Sequence, residues 1–401
     1  MTDEREKARF FLNPNPSIRA VPPRSTDHAP LAFHQRLPGY SPTPLVDAPE
    51  LARMLGIRQL MVKNESNRLG LPAFKILGAS WAVYRAMEER IGHFLEPWCK
   101  WGELAERLVA LRPLTLVTAT DGNHGRAVAH MAALLGFEAQ IYLPAGTAKA
   151  RVDGIASEGA RVEIVHGTYD DAVERAAQDA GARCVVISDT SWPGYEDIPR
   201  WVIEGYSTIL VEIDHELARR GEKNPDLIAV QFGVGALATA VVRHYRQPLH
   251  DDSLKILSVE PLHAACMLAS MEAGEIVTVP GPHDSIMAGL NCGRPSDIAW
   301  PIASRGINAF VAIPDERARE AMRALAGVGI VAGETGAAGL AGLIELMTGP
   351  QNAQHRQSLK IDSNTRALIL VTESATDPEG YKRAVSRDLE QFDVVKQQSG
   401  P

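Results

Sequence analysis

The chain has 401 residues, 45% of them hydrophobic and 22% charged, which argues against a largely disordered protein and gives enough length for two domains. The formal net charge of -8, with no dominant cluster of Lys and Arg, argues against a nucleic-acid partner and favours a small-molecule partner. The N-terminus is charged, unlike a signal peptide, and no apolar run reaches about 18 residues, so we expect a cytoplasmic protein without a membrane partner.

The first part of the chain predicts an arm followed by three regular elements. Residues 1 to about 45 are rich in proline and show no periodicity, which is typical of a wrapping segment. A short helix pattern, ELARMLGI, then precedes a strand pattern, RQLMVKNES, and a longer helix pattern, AFKILGASWAVYRAMEERI.

From Leu114 onward, strand and helix patterns alternate in two series. The first series runs from TLVTAT to RCVVISD, and a helix pattern over VIEGYSTILVEIDHELARRG separates it from the second, which runs from LIAVQFG to RALILVT. Such alternation predicts mostly parallel sheets covered by helices. We therefore predict an α/β fold of two lobes with a cleft between them. Because ligands of such folds collect beyond the carboxyl ends of the strands, we expect functional residues in the loops that follow strands.

Lys75 is the single charged residue in the apolar stretch GLPAFKILGAS, which opens a helix. One interpretation is a lysine whose aliphatic part is buried while its ammonium group reaches solvent. The other is a desolvated amine near the positive end of a helix, which favours the deprotonated form and Schiff-base chemistry. The local sequence leaves both interpretations open.

The stretch VQFGVGALATAV is a strand that ends in glycines and runs into a helix of small residues. Glycines allow the backbone to turn tightly and direct N–H groups at an anion, which the helix dipole also favours. A candidate phosphate site therefore comprises Gly233, Val234, Gly235, Ala236 and Leu237, although a plain strand-to-helix turn has the same pattern. The stretch has neither the P-loop motif nor the full Rossmann fingerprint, so nucleotide binding of those kinds is disfavoured.

The turn TATDGNHG follows another strand directly and places polar side chains at its end. Asn123 offers both a donor and an acceptor to a ligand, and the flanking glycines relax the backbone. Asp121 is interpreted either as the N-cap of the next helix or as a catalytic carboxylate.

Two further strand ends carry single candidate residues. Thr372 offers a neutral hydroxyl at the end of the apolar strand ALILVT, or it merely closes that strand. Asp189 follows the strand pattern RCVVIS and is either a residue of the cleft or a cap of the loop. Local sequence alone does not choose between these interpretations.

The cysteines and histidines do not predict a metal site. Four buried thiols are the main expectation for the cysteines, and a pair between Cys266 and Cys292 is the alternative. The remaining two cysteines, Cys99 and Cys184, have no partner at a zinc-like spacing. The histidines have no partner at such a spacing either.

Together these stretches resemble the tryptophan-synthase-β-like family of pyridoxal phosphate enzymes, which have fold type II. The run SPTPL at 41–45, the helix-opening lysine, the GNH turn, the glycine loop and the late strand with a hydroxyl occur in that family's order. Within the family, the stretches KNESNRLGLPAFKILGASWA, TATDGNHGRAVA, SDTSWPGYEDIP and TESATDPEGY are most similar to those of ammonia-lyases that act on 2,3-diaminopropionate. The resemblance covers residues 37 to 381.

The resemblance implies pyridoxal 5'-phosphate in the cleft and a homodimer. It divides the chain into a large cofactor-binding domain, residues 1–85 and 214–401, and a small domain, residues 86–213. Lys75 would hold the cofactor as a Schiff base beside Phe74, and Asn123 would bind the ring hydroxyl. The backbone of residues 233–237 would hold the phosphate, while Thr372 would face the ring nitrogen.

The resemblance also implies an α,β-elimination. Lys75 or Asp121 would remove the Cα proton, ammonia would leave from Cβ, and the product would hydrolyse to pyruvate and a second ammonia. Thr120 and Asp189 would contact the substrate, the latter through its distal amine. Related dehydratases usually carry a small residue in place of Asp121. Two alternatives stay open: a serine/threonine dehydratase or β-replacing synthase on the same scaffold, and a non-catalytic homologue that binds the cofactor.

Overall fold

A computed structural model describes residues 7–17, 28–246, 253–349 and 352–386. The strands within these ranges are β1 (Arg9–Leu12), β2 (Leu45–Asp47), β3 (Gln59–Asn64), β4 (Thr115–Ala119), β5 (Glu138–Pro144), β6 (Arg161–Val165), β7 (Cys184–Val186), β8 (Leu227–Gln231), β9 (Lys255–Pro261), β10 (Ala309–Ile313) and β11 (Arg366–Val371). The α-helices are α1 (Ala29–His34), α2 (Pro49–Leu55), α3 (Lys75–Ile91), α4 (Trp101–Arg107), α5 (Asn123–Leu135), α6 (Lys149–Ala156), α7 (Tyr169–Ala177), α8 (Asp197–Gly205), α9 (Ser207–Arg220), α10 (Ala236–Tyr245), α11 (Cys266–Ala273), α12 (Trp300–Gly306), α13 (Asp315–Gly327), α14 (Ala338–Thr348), α15 (Ala353–Ser358) and α16 (Pro378–Val385).

The strands form two sheets. Seven strands build the large sheet in the order β1-β10-β9-β8-β11-β3-β2, and four build the small sheet in the order β6-β5-β4-β7. All neighbouring strands are parallel except at the two edges of the large sheet, where β1 and β2 run antiparallel to their neighbours. The prediction of mostly parallel sheets covered by helices is confirmed.

Burial explains why the large sheet forms at these positions. The residues of β8 and β10 are all buried, as expected for apolar strands that are covered by helices on both faces. One apolar cluster contains Leu77, Val202 and Val241 of three helices together with residues of the sheet, and a second contains Leu51, Leu325 and Leu340 from three other helices.

Two predictions about elements are wrong. The helix predicted over residues 202–221 is the end of α8 and all of α9, because the chain bends at Tyr206 between them. Gly205 lies so close to α3 that an added Cβ would be 2.4 Å from the carbonyl oxygen of Leu77. The N-terminal arm, predicted to be aperiodic, contributes α1 and also β1, which is an edge strand of the large sheet and pairs with β10. Residues 1–6 and 18–27 of that arm lie outside the described residues.

The cysteines are all free thiols. Cys266 and Cys292 are buried without a disulfide, so the alternative of a pair between them is wrong. The expectation of four buried thiols is also wrong in part, because Cys99 is exposed and Cys184 is half-buried. Among the described residues, no helix is long and apolar enough to span a membrane.

A fully buried group of charges anchors the segment that leads into α3. Arg68 donates to Glu65 Oε1 at 2.6 Å and to Glu212 Oε1 at 2.7 Å, and Lys63 Nζ donates to Glu212 Oε2 at 2.6 Å. These four side chains are 0–3% exposed. Buried charges are tolerated when they are paired and hydrogen-bonded, so this cluster ties β3 and the loop after it to α9.

Candidate active site

One cavity at the carboxyl ends of the strands collects almost all the predicted site residues. We call it the inner cavity. Its walls comprise the start of α3 and the loops after β4, β7, β8 and β11, with Phe74, Lys75, Asp121, Asn123, Asp189, Gly233, Val234, Gly235, Ala236, Leu237 and Thr372. Parallel strands bring their carboxyl ends to one edge of a sheet, which explains how residues far apart in sequence meet here.

Lys75 is the first residue of α3, and its amine is paired with a carboxylate. Lys75 Nζ donates to Asp189 Oδ2 at 2.5 Å, and the Tyr169 hydroxyl donates to Asp189 Oδ1 at 3.1 Å. Burial alone would lower the pKa of Lys75, but the Asp189 carboxylate outweighs it and raises that pKa above its usual range. Burial alone would raise the pKa of Asp189, whereas the Lys75 ammonium lowers it. Lys75 is therefore desolvated yet charged in this pairing.

Asp121 stands at the end of β4 and does not cap a helix. The N-cap position of α5 is Gly122, and no side chain caps this helix. The structure thus rules against the N-cap interpretation. Burial raises the pKa of Asp121 to about 6, although Lys75 and Arg151 act in the opposite direction. A carboxyl group with such a pKa is suited to accept a proton near neutral pH.

Asn123 opens α5 and is held by a residue that sequence reasoning missed. Its Nδ2 donates to Glu373 Oε2, and Glu373 Oε1 accepts from the Thr335 amide at 3.1 Å. Glu373 directly follows Thr372 at the end of an apolar strand, and this position could have identified it as a residue of the site. Tyr169, the first residue of α7, also lines the inner cavity and was missed, because nothing in its local sequence points there.

The glycine loop between β8 and α10 packs so closely that it has no room for side chains at its two glycines. Gly235 has a φ of +101°, and an added Cβ would be 2.5 Å from the Phe232 ring. A Cβ on Gly233 would be 3.0 Å from the carbonyl oxygen of Gly289. The first N–H groups of α10, including those of Ala236 and Leu237, have no acceptor within the helix. This arrangement is a typical anion site.

Thr372 is buried directly after β11. Its hydroxyl accepts from Gln231 Nε2 at 2.9 Å, and Gln231 Oε1 is buried without a hydrogen-bond partner. The structure does not bring Thr120 to the inner cavity: its side chain is buried, and its hydroxyl accepts from the Gly122 amide at 2.9 Å.

The inner cavity therefore has two walls of different character. The large-sheet wall is formed by Phe74, Lys75, Thr372 and the glycine loop 233–237. The small-sheet wall is formed by Asp121, Asn123, Tyr169 and Asp189. Lys75 Nζ reaches across to the small-sheet wall through its contact with Asp189.

A second cavity, the outer cavity, adjoins the first and has a volume of about 1010 Å³. The two cavities share Asp121, Tyr169, Ala288 and Asn291, so the outer one gives access to the inner one. Its lining includes Arg151 of α6 and Glu334, which lie 3.8 Å apart. Burial raises the pKa of Glu334 to about 7.

Comparisons with known proteins agree with this geometry. The family model described as pyridoxal-phosphate dependent enzyme matches residues 36–372. Diaminopropionate ammonia-lyase of Salmonella typhimurium is 36% identical over 373 residues, which are 89% of this chain and 91% of that protein. The crystal structure of diaminopropionate ammonia lyase from Escherichia coli in complex with D-serine has a TM-score of 0.86 and 33% identity, covering 94% of this chain and 97% of that one. A biosynthetic L-threonine dehydratase of Mycobacterium leprae is 31% identical over 239 residues, 57% of this chain and 52% of that protein.

Proposed function

The chain belongs to the family of pyridoxal-phosphate dependent enzymes, and from this premise we propose that it eliminates ammonia from 2,3-diaminopropionate. The observation that carries the proposal is the presence of Lys75 and the Asp121 carboxyl in the same inner cavity. An amine that the cofactor would engage and a carboxyl group with a raised pKa, in one cavity, suit an elimination that begins with loss of the Cα proton. The length of the match to diaminopropionate ammonia-lyase supports this substrate over threonine.

The residues of the inner cavity fit pyridoxal phosphate. The glycine loop lets the backbone pass close to Phe232, where a Cβ at residue 235 would clash, and the start of α10 adds N–H groups for a phosphate. Gln231, whose Nε2 contacts the Thr372 hydroxyl, has a buried Oε1 without a partner within the described structure. These features are what an anionic, ring-containing cofactor requires.

We propose that the cofactor is bound by the residues that were predicted from the sequence. Lys75 would bind it through Nζ beside Phe74, and Asn123 would hydrogen-bond the ring hydroxyl. The amides of residues 233–237 would hold the phosphate, and the Thr372 hydroxyl would face the ring nitrogen. When bound, pyridoxal phosphate supplies an electron-withdrawing ring that stabilises negative charge at the substrate Cα.

The proton transfers fall to Lys75 and Asp121. Nζ of Lys75 would accept the Cα proton of one stereoisomer, and a carboxyl oxygen of Asp121 would accept that of the other. The electron pair of the Cα–H bond forms a Cα–Cβ double bond as the Cβ–N bond breaks and ammonia leaves. The released enamine hydrolyses to pyruvate and a second ammonia. Asp189, which also lines the inner cavity, is proposed to contact the substrate beside Lys75.

A comparison of substrates tests the function. Purified enzyme with its cofactor is incubated with D- and L-2,3-diaminopropionate, and with serine and threonine, while pyruvate, 2-oxobutyrate and ammonia are measured. We expect two molecules of ammonia per pyruvate from diaminopropionate. Turnover of serine or threonine alone would favour the dehydratase alternative, and an enzyme that binds the cofactor without any turnover would favour the non-catalytic alternative.

We propose further that the protein works in the cytoplasm as a homodimer, as the family resemblance implies. The domain limits 1–85, 86–213 and 214–401 are also proposed; the small-sheet strands, which lie between residues 115 and 186, support them. Light scattering during size-exclusion chromatography measures the mass in solution, and a monomer mass would contradict the dimer.

A further inference from the structure

We propose that Glu334 and Asp377 form a subsite for a primary ammonium group at the wall of the outer cavity. This subsite would select a substrate with a cationic amine at Cβ over serine, whose Cβ carries a neutral hydroxyl. The inference rests on the proposed function, because it concerns the leaving group that the same site accepts.

Glu334 has a buried carboxyl group, and one of its oxygens accepts no hydrogen bond. The residue is 5% exposed, and its Oε2 has no hydrogen-bond partner. Arg151 Nη2 lies 3.8 Å from that oxygen, which is too long for a hydrogen bond. A buried acceptor without a donor is costly, and a ligand that brings an N–H group removes this cost.

Asp377 lies close to the other carboxylate oxygen of Glu334, Oε1. An added Cβ on Gly380 would lie 2.7 Å from Glu334 Oε1 and 2.7 Å from Asp377 Oδ2. The absence of a side chain at this glycine therefore leaves two carboxylate oxygens facing one small volume. An ammonium group has three N–H donors on one atom and can serve both oxygens, whereas a hydroxyl has one.

The charge around this volume favours a cation. Four carboxyl groups, those of Glu373, Asp121, Glu334 and Asp377, act on the single buried guanidinium of Arg151. Arg383 approaches Asp377 only to 4.0 Å, and its side chain is 73% exposed. The negative charge at this wall thus exceeds the positive charge, and a ligand ammonium restores the balance.

Two other carboxylates near these cavities already have donors, and a third, Asp121, is assigned to proton transfer. Glu373 accepts from Asn123 and from the Thr335 amide. Both oxygens of Asp189 have partners, namely Lys75 and Tyr169. Glu334 is therefore the carboxyl group best placed to gain from a substrate ammonium, and a site that is built for this group disfavours an analogue that lacks it.

The test is E334Q, measured with the holoenzyme. This change keeps the size of the side chain and removes its charge. We expect kcat/KM for 2,3-diaminopropionate to fall by about 10- to 100-fold, the effect of one hydrogen bond to a charged group, while kcat/KM for serine changes by less than about threefold. D377N should act in the same direction with a smaller effect, because Asp377 is partly exposed.

A binding measurement separates recognition from turnover. The ligands 2-methyl-2,3-diaminopropionate and 2-methylserine lack a Cα proton and cannot be eliminated, so calorimetry reports their affinity alone. E334Q should weaken the first ligand and leave the second unchanged. An equal loss for both ligands, or no loss for either, would overturn the inference.

The matched control is D284N. Asp284 lines the same outer cavity, but its side chain is 60% exposed and pairs with His263, so this variant should keep the wild-type ratio between the two substrates. A wild-type enzyme that does not eliminate ammonia from diaminopropionate would refute the proposed function instead. The two binding ligands would still decide whether Glu334 recognises an ammonium group.

Discussion

The two walls of the inner cavity differ in what they contribute and in what supports them. The large-sheet wall presents backbone N–H groups and the neutral hydroxyl of Thr372, together with one amine, and β8 behind it is buried along its whole length. The small-sheet wall presents two carboxyl groups and a phenol. Its sheet ends in β6, which is mostly exposed or half-buried. Apart from Asn123, the groups that hold the cofactor stand on the better-packed sheet, and apart from Lys75, the ionisable groups stand on the smaller one.

This difference teaches that binding and proton transfer are separable here. Substitutions in the large-sheet wall should alter cofactor affinity, whereas substitutions in the small-sheet wall should alter turnover with the cofactor still bound. Lys75 and Asn123 are the exceptions: Lys75 belongs to the large-sheet wall but its Nζ contacts Asp189 of the other, and Asn123 belongs to the small-sheet wall but is assigned to hold the cofactor.

Lys75→Ala should have the largest effect, because it should abolish both the covalent holding of the cofactor and the proton transfer. We expect a fall in kcat of at least about 10³-fold, because a general base alone contributes about 10² to 10⁴ and the covalent attachment is lost as well. The visible absorbance of the covalently bound cofactor should disappear. Lys149→Ala is the control, because that lysine is 85% exposed on α6. Retained absorbance in Lys75→Ala would contradict the assignment.

Asp121→Asn should break only the proton-transfer function of the small-sheet wall. Turnover of one diaminopropionate isomer should fall by about 10² to 10⁴-fold, as for loss of a general base, while the cofactor absorbance stays unchanged. The other isomer should keep most of its rate. Asp153→Asn serves as the control, because Asp153 is an exposed carboxylate of α6. Unchanged kinetics with both isomers would refute the role of Asp121 as a base.

Gly235→Ala should break only the holding function of the large-sheet wall. Its φ of +101° disfavours alanine, and the added Cβ would lie 2.5 Å from Phe232. Overpacking of this kind costs about 1–3 kcal/mol, which corresponds to about 5- to 150-fold weaker cofactor binding. Gly274→Ala controls for backbone strain, because it has a φ of +77° and open space around it. Equal cofactor affinity in both variants would argue against a crowded phosphate cradle.

The pH dependence sharpens the comparison further. Burial favours the neutral carboxyl group and raises the pKa of Asp121 to about 6, and only the deprotonated form accepts a proton. For the isomer that uses Asp121, kcat/KM should therefore rise with pH through about 6 and fall about tenfold per unit below it. Asp121→Asn should lose this limb of the profile. A midpoint near 4 would contradict the effect of burial.

Thr372→Val should have the smallest effect. Gln231 Nε2 would lose one acceptor but keep the carbonyl oxygens of Thr335 and Leu370. Loss of one neutral hydrogen bond costs about 0.5–1.5 kcal/mol, so cofactor affinity should fall by about 2- to 12-fold with little change in kcat. Thr372→Ser should restore the wild-type affinity. A larger fall in kcat than in affinity would assign Thr372 to the chemistry instead.

Sequence reasoning succeeded where one local pattern determines the structure. The apolar strand patterns predicted both sheets, because parallel strands covered on two faces must be apolar along their length. The glycine loop and Lys75 were predicted for a similar reason, since each stands directly at a boundary between a strand or loop and a helix. These stretches occur along the chain in the same order as in the family, and this agreement led to the prediction that they form one site.

Long-range packing explains what sequence reasoning missed. The bend at Tyr206 depends on the contact of Gly205 with α3, which no local pattern reveals. Tyr169 and Arg151 reach the cavities only because α7 and α6 pack on the small sheet, and Glu373 acquires its role from Asn123, 250 residues away. Thr120 has a suitable neighbour, Asp121, but its side chain turns away from the inner cavity to the Gly122 amide.

The buried charge cluster before α3 has a consequence for biosynthesis. Arg68 and Glu212 are 144 residues apart, so at about 5–20 residues per second the ribosome supplies the second about 7 to 30 seconds after the first. Until then, Arg68 and Lys63 lack the carboxylate that they share in the folded protein. A nascent chain that ends before α9 therefore lacks the partner that buries the segment presenting Lys75. We expect the cofactor to be loaded after the first half of the protein has been translated and not during its translation.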